Sequence, residues 1–159
     1  VASQGTPATA LLTKQKVKHT LHPYEISPDS PNYGALVADA IGADPARVFK
    51  TLVTEVDGAL TVAVVPVTGE IDLKALATAA GGKKAAMADR DLAEKTTGYV
   101  RGGISPLGQR KRLPTVIDQS ALDGDLIYVS AGKRGLQLRL APTDLVRLTS
   151  ATLAPIART

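Results

Sequence analysis

Lys50 interrupts an apolar run. In "RVFKTLVTEV" it stands where a helical turn gives way to a strand, so its ammonium must either snorkel to water or meet an anion. A strand-edge lysine meets the first condition and an anion-binding lysine the second. The stretch "GGISPLGQRKR", Gly102 to Arg112, sets three glycines and a proline ahead of three consecutive cations. Gly102 and Gly103 permit close backbone approach to a ligand. Pro106 stiffens the loop, so that amides in the Ile104–Ser105 segment could face a developing oxyanion. The same residues also suit a plain turn. Arg110, Lys111 and Arg112, with Lys133 and Arg134 of "GKRG", could follow a phosphate backbone or form a solvated charged face.

Other catalytic templates fall away on spacing. His19 and His22 are three apart, which on a strand sends them to opposite faces, and no cysteine or third histidine completes a metal set. "GISPLGQR" has the glycine spacing of a phosphate loop, but Gln109 and Arg110 occupy the places of the lysine and hydroxyl that such a loop requires. Neither Ser105 in "GISPL" nor Ser130 in "VSAGK" lies in a G-x-S-x-G elbow, which argues against a serine hydrolase. Aromatics are 3% of the residues and tryptophan is absent, so bases are not expected to stack along a single-stranded nucleic acid.

These residues must be positioned by a chain of 159 residues, enough for one globular domain with its own core. A net charge of +4 permits a polyanionic partner without demanding one. The absence of cysteine fits a reducing cytosol, and any thiol chemistry must come from a substrate. "VASQGTPATALL" lacks the pattern of a signal peptide, and no apolar run reaches the ~18 residues of a membrane span, so a soluble cytoplasmic protein is expected.

Residues 1–5 read as a loose end and "SPDSPNYG", around Pro28 and Pro31, as a connection. Thr6 and Pro7 suit the start of a helix through "ATALLTKQK", followed by extended "HTLHPYE". "NYGALVADAIG" predicts a helix ending at Gly42, and Asp44–Pro45 a short turn before the strand "FKTLVTEV". Asp57–Gly58 predicts a hairpin into "LTVAVVPV". Helices over "DLKALATAA" and "RDLAEKTTG" flank a short strand in "KAAMA". "PTVID", "DLIYVS" and "LQLRLA" follow as strands and "TDLVRLT" as a helix. Interleaved helices and hairpins predict an α+β domain with a mixed sheet.

Taken together, "TPATALL", "VFKTLV", "TGYVRGGISPLGQRKRLPTVID" and "IYVSAGKRGL", in this order, closely resemble the YbaK-type Cys-tRNA(Pro) deacylases, relatives of the editing domain of bacterial prolyl-tRNA synthetases. The resemblance runs from about Thr6 to Arg158. It implies one editing domain over residues 6–158, with a mixed sheet or partly closed barrel surrounded by helices. It also implies hydrolysis of a mischarged aminoacyl ester. Such an enzyme is needed because a synthetase pocket shaped for proline discriminates against a similarly small amino acid by only ~1–3 kcal/mol.

The resemblance places the family lysine on Lys50 and the G-x-x-x-P loop on Gly102–Pro106, with Tyr24 and Ser130 at pocket positions. It implies that Lys50 orients the terminal nucleotide or supports charge near the ester, while the loop amides stabilise the tetrahedral intermediate. No metal, cofactor or protein nucleophile is implied. In the cysteine-specific branch the thiol of the attached cysteine attacks its own ester carbonyl. The implied partners are the acceptor end of tRNA(Pro) and, through the family, prolyl-tRNA synthetase. One departure stands out: those relatives commonly have aspartate in "KRGLD", where this chain has Gln137 in "KRGLQ". A carboxylate can pair with a substrate ammonium and an amide cannot, which opens the choice of amino acid, alanine included. A tRNA-binding relative without catalysis and a nucleotide-binding domain are the rival expectations.

Overall fold

The Asp57–Gly58 turn organises the largest sheet. In the computed structural model, which describes residues 5–27 and 30–158, both turn residues have positive φ, 50° and 84°. A two-residue hairpin loop requires this, because its twist must match that of the strands it joins. The turn pairs β2 (Phe49–Val56) with β3 (Ala59–Pro66) from Val56↔Ala59 to Phe49↔Pro66. β3 runs parallel to β6 (Thr115–Asp118), and β6 parallel to β9 (Thr152–Ala154). On the other side, β5 (Ala85–Met87) pairs antiparallel with Thr54–Val56 alone. The order β5-β2-β3-β6-β9 is the expected mixed sheet.

A second sheet has the order β1-β8-β7, from β1 (Thr20–Pro23), β8 (Leu136–Leu140) and β7 (Ile127–Lys133). A bridge between Val48 and Tyr128 links the two sheets at the start of β2. β4 (Glu70–Ile71) and β10 (Ala157–Arg158) form a separate pair. None of these sheets closes on itself, so the fold is α+β with open sheets and not a barrel.

Strand periodicity divides the core. Val62 and Val64 face the second sheet and pack with Phe49, Ile117, Val129 and Leu138. Ala63 and Val65 face the other way, against Val116, Ile156 and Leu76 of α3 (Leu73–Ala79). α1 (Pro7–Lys14) starts with a capping box, the Thr6 and Thr9 hydroxyls each accepting from the other's amide. α2 (Tyr33–Ala40), α4 (Arg90–Thr97) and α5 (Pro142–Thr149) complete the helices among the described residues. Sequence periodicity did not anticipate β4, β9 and β10, which are too short to show any. Tertiary contacts make them: buried Asp118 accepts from the Ile156 and Ala157 amides at 2.9 and 3.0 Å and holds the last strand in place. Pro28 and residues 1–4 of the expected loose end lie outside the described residues.

Candidate active site

The short reach of β5 creates the site. β5 covers Thr54–Val56 and leaves the first half of β2 without a neighbour on that edge. A cleft of about 500 Å3 occupies the space, within the range of small-ligand sites. β2 lines it from Phe49 to Val53, α2 contributes Tyr33, Gly34 and Val37, and α4 contributes Arg90, Ala93 and Glu94. The glycine loop adds Arg101, Gly102 and Ile104, and the second sheet adds Ser130 and Gln137. These last two are cross-strand partners in register.

The structure therefore brings Lys50, Gly102, Ile104, Ser130 and Gln137 to one cleft. It also adds Thr51, whose hydroxyl is buried and has no hydrogen-bond partner among the described residues; the same holds for Gln137 Oε1. The hairpin register explains why Thr51 belongs here. Val56↔Ala59 is the pair next to the two-residue turn, and alternate residues 54, 52 and 50 point their amides and carbonyls at β3. Odd-numbered residues point theirs outward, as the Ala88 amide donating to the Val53 carbonyl at 3.1 Å confirms. Thr51 thus turns its backbone amide and carbonyl toward the open edge, while its hydroxyl is buried in a residue that lines the cleft. The signal in the sequence was a second polar residue inside the apolar run at Lys50.

The glycine loop divides its labour. Gly102 has φ +86°, and its amide and that of Ile104 have no acceptor among the described residues. The Gly103 amide is engaged, donating to the Val100 carbonyl at 2.9 Å. A Cβ on Gly103 would lie 2.7 Å from the backbone of Lys133 and Arg134, so this residue lets the loop abut the end of β7. Ser105 is fully buried and its Oγ accepts from the Leu107 amide. Pro106 lines, with Leu11 and Leu148, a separate, smaller cavity of about 250 Å3. Neither of these two lines the cleft.

Tyr24 stands behind the cleft wall. Its hydroxyl meets that of Tyr33 at 2.7 Å, and Tyr33 is the ring that lines the cleft. Burial, then the bond to Tyr24, holds the Tyr33 phenol well above the usual tyrosine range.

The cations separate into two sets. Arg134 donates from Nε to the Arg101 carbonyl at 2.7 Å, and Glu94 Oε2 accepts from the Arg101 amide at 2.7 Å. The backbone of Arg101 is clamped from both sides while its exposed side chain lines the cleft beside Arg90. The sequence reading passed over both arginines, although Arg101 immediately precedes the glycines. Arg110 and Lys111 continue the loop past the end of α4, their amides donating to the Thr97 and Thr96 carbonyls. Arg112 reaches the Ser150 hydroxyl and lines the smaller cavity. Lys133 ends β7 and is half-buried.

The histidines are elsewhere. His19 Nδ1 lies 2.8 Å from the Val17 carbonyl and His22 Nε2 2.8 Å from the Thr20 hydroxyl; neither lines the cleft. No group of three metal-ligating acids, histidines or cysteines occurs among the described residues. The site can offer a ligand hydrogen bonds and positive charge.

The chain is similar to known proteins over nearly its full length. It is 42% identical over 96% of its length, and 93% of the other's, to EbsC of Enterococcus faecalis (strain ATCC 700802 / V583), a proposed Cys-tRNA(Pro)/Cys-tRNA(Cys) deacylase. Its fold matches the hypothetical protein APE2540 at a TM-score of 0.84, with 21% identity and coverage of 96% of this chain and 100% of the other. It also matches a proposed trans-editing enzyme for prolyl-tRNA synthetase at 0.79, with 22% identity and coverage of 98% and 99%. The model of the aminoacyl-tRNA editing domain matches residues 32–148, which include β2, the glycine loop and both cleft-lining residues of the second sheet. The chain belongs to the aminoacyl-tRNA editing domain family.

Proposed function

We propose that this chain hydrolyses, as a free-standing editing enzyme, the ester joining a wrongly attached cysteine to the 3′ end of tRNA(Pro). The observation that carries the reading is the convergence of Lys50, the free Gly102 and Ile104 amides, Thr51 and Gln137 on one cleft. Lys50 supplies positive charge to the terminal nucleotide, and the two amides donate to the oxyanion that develops on the carbonyl oxygen of the ester. The cleft has no histidine, and its carboxylate, Glu94, is engaged with Arg101 and Arg90.

With no general base at hand, the substrate performs the attack. The cysteine sulfur bonds to its own carbonyl carbon, the carbon–oxygen bond to the ribose breaks, and the ribose oxygen leaves with the thiol proton. Water then opens the cyclic thioester to free cysteine. The protein contributes orientation, which is where an intramolecular attack gains most. Pro106 and Ser105 shape the loop from behind, Tyr24 braces Tyr33, and the outer cations Arg110, Lys111, Lys133 and Arg134 follow the acceptor stem, with Arg112, turned to Ser150, a weaker contributor. Such contacts read charge and not sequence, so prolyl-tRNA synthetase is the partner that would present the correct tRNA in the cytoplasm.

The test is release of amino acid from Cys-tRNA(Pro), Ala-tRNA(Pro) and Pro-tRNA(Pro) by the native chain and Lys50→Ala. Loss of cysteine alone, abolished by the substitution, is expected. Salt-sensitive tRNA binding with no hydrolysis of any ester would replace this reading with that of a tRNA-binding protein. The missing general base is the observation in favour of that second reading.

A further inference from the structure

Gln137 lines the cleft, but the proposed reaction assigns its side chain no step. It is 6% exposed, and its Oε1 has no partner among the described residues. An acceptor buried in this way calls for a donor, and a ligand seated in the cleft that Gln137 lines can bring one. The charge around it limits what that donor can be. Lys50, Arg90 and Arg101 line the cleft, against the carboxylate of Glu94. Glu94, on α4, is already engaged, its Oε2 2.7 Å from the Arg101 amide nitrogen and 3.8 Å from Arg90 Nε. Phosphates of a tRNA end would offset the arginines. An α-ammonium beside Gln137 would add positive charge where no carboxylate receives it. A neutral N–H satisfies Oε1 and imports no charge.

We infer that this cleft takes the aminoacyl nitrogen as an uncharged N–H donor, so that N-acylated aminoacyl esters are ligands and substrates on a par with free ones. The inference rests on the deacylase reading for its substrate class. It is chemically consistent with that reaction, because the nitrogen takes no part: sulfur bonds to the carbonyl carbon, the ribose oxygen leaves, and the thiol proton goes with it, acylated or not.

Two probes separate the inference from the reading it rests on. The 3′-amide-linked analogues of cysteinyl-adenosine and N-acetylcysteinyl-adenosine are titrated calorimetrically against the full chain and its Gln137→Asp variant. Hydrolysis of Cys-tRNA(Pro) and N-acetyl-Cys-tRNA(Pro) is timed in parallel. The native chain should bind both analogues within ~3-fold of each other, whereas Gln137→Asp should favour the free amine by ~10-fold or more. A native preference of ~10-fold for the free amine overturns the inference, as does failure of either analogue to bind. Near-equal binding with neither ester hydrolysed upholds the binding half and removes the hydrolase reading on which the substrate half rests, whereas hydrolysis of the free ester alone overturns the substrate half. The native comparison stands whether or not the variant folds.

Discussion

Gly102→Ala tests the oxyanion role of the loop because its two effects differ in size and can be read apart. At φ +86° an added Cβ meets the penalty of the left-handed region, ~1–2 kcal/mol. The nearest atoms to that Cβ are Nε, Cγ and Cδ of Arg134, at 3.0, 3.4 and 3.6 Å, all on a flexible side chain that can yield. Backbone strain therefore dominates, and a domain of this size should lose ~2–8 °C in melting temperature. If the strained segment turns the Gly102 amide away from the ester, the rate should fall much further, by ~100-fold or more, the usual effect of losing one oxyanion donor. Single-turnover deacylation of Cys-tRNA(Pro), tRNA affinity and thermal melting are measured on the same preparation. Gly103→Ala is the control: its amide is already bonded to Val100 and its Cβ would strike backbone, so it should cost more stability than Gly102→Ala. A Gly102→Ala protein that melts lower and hydrolyses at the native rate would refute the assignment of that amide.

Thr51→Val keeps the shape and removes a buried hydroxyl without a partner, so stability should hold or rise by up to ~1 kcal/mol while deacylation falls ~5–10-fold; melting curves and rates together decide it. Asp118→Ala strips acceptors from the amides of Ile156, Ala157 and Ser120 and should cost ~3 kcal/mol, visible as a drop of ~6–12 °C. Arg101→Ala should weaken tRNA binding and lower the slope of log affinity against log salt by ~0.7–0.9, whereas Arg112→Ala, at the separate, smaller cavity, should change it less. Equal slopes for the two variants would displace the phosphate path from the cleft rim.

Local chemistry is strong wherever the reading of single elements agrees with the fold. Thr6–Pro7 starts α1, Asp57–Gly58 turns the hairpin and Gly98, at φ 82°, ends α4. Each depends on a backbone preference that neighbouring residues cannot override. β4, β9 and β10 lack such cues, since two or three residues carry no period and their partners are distant in the chain.

The site divides in the same way. Residue types alone brought out Lys50, an ammonium in an apolar run, and the glycines at 102 and 103, because charge and conformational freedom are properties of single residues. Resemblance to a family added Tyr24, Ser130 and Gln137. Which of these share a cleft was decided by the register of the β7–β8 pair and by the early end of β5, both set by long-range pairing. Sequence order made Arg110, Lys111 and Arg112 look like one continuation of the glycine loop. The fold carried Arg112 to Ser150, and put Arg90 and Arg101 at the cleft. Composition and local pattern determined the kinds of element and the chemistry on offer, since these follow from each residue's own physics. Only the tertiary structure decided which groups meet, because proximity depends on how distant segments pack.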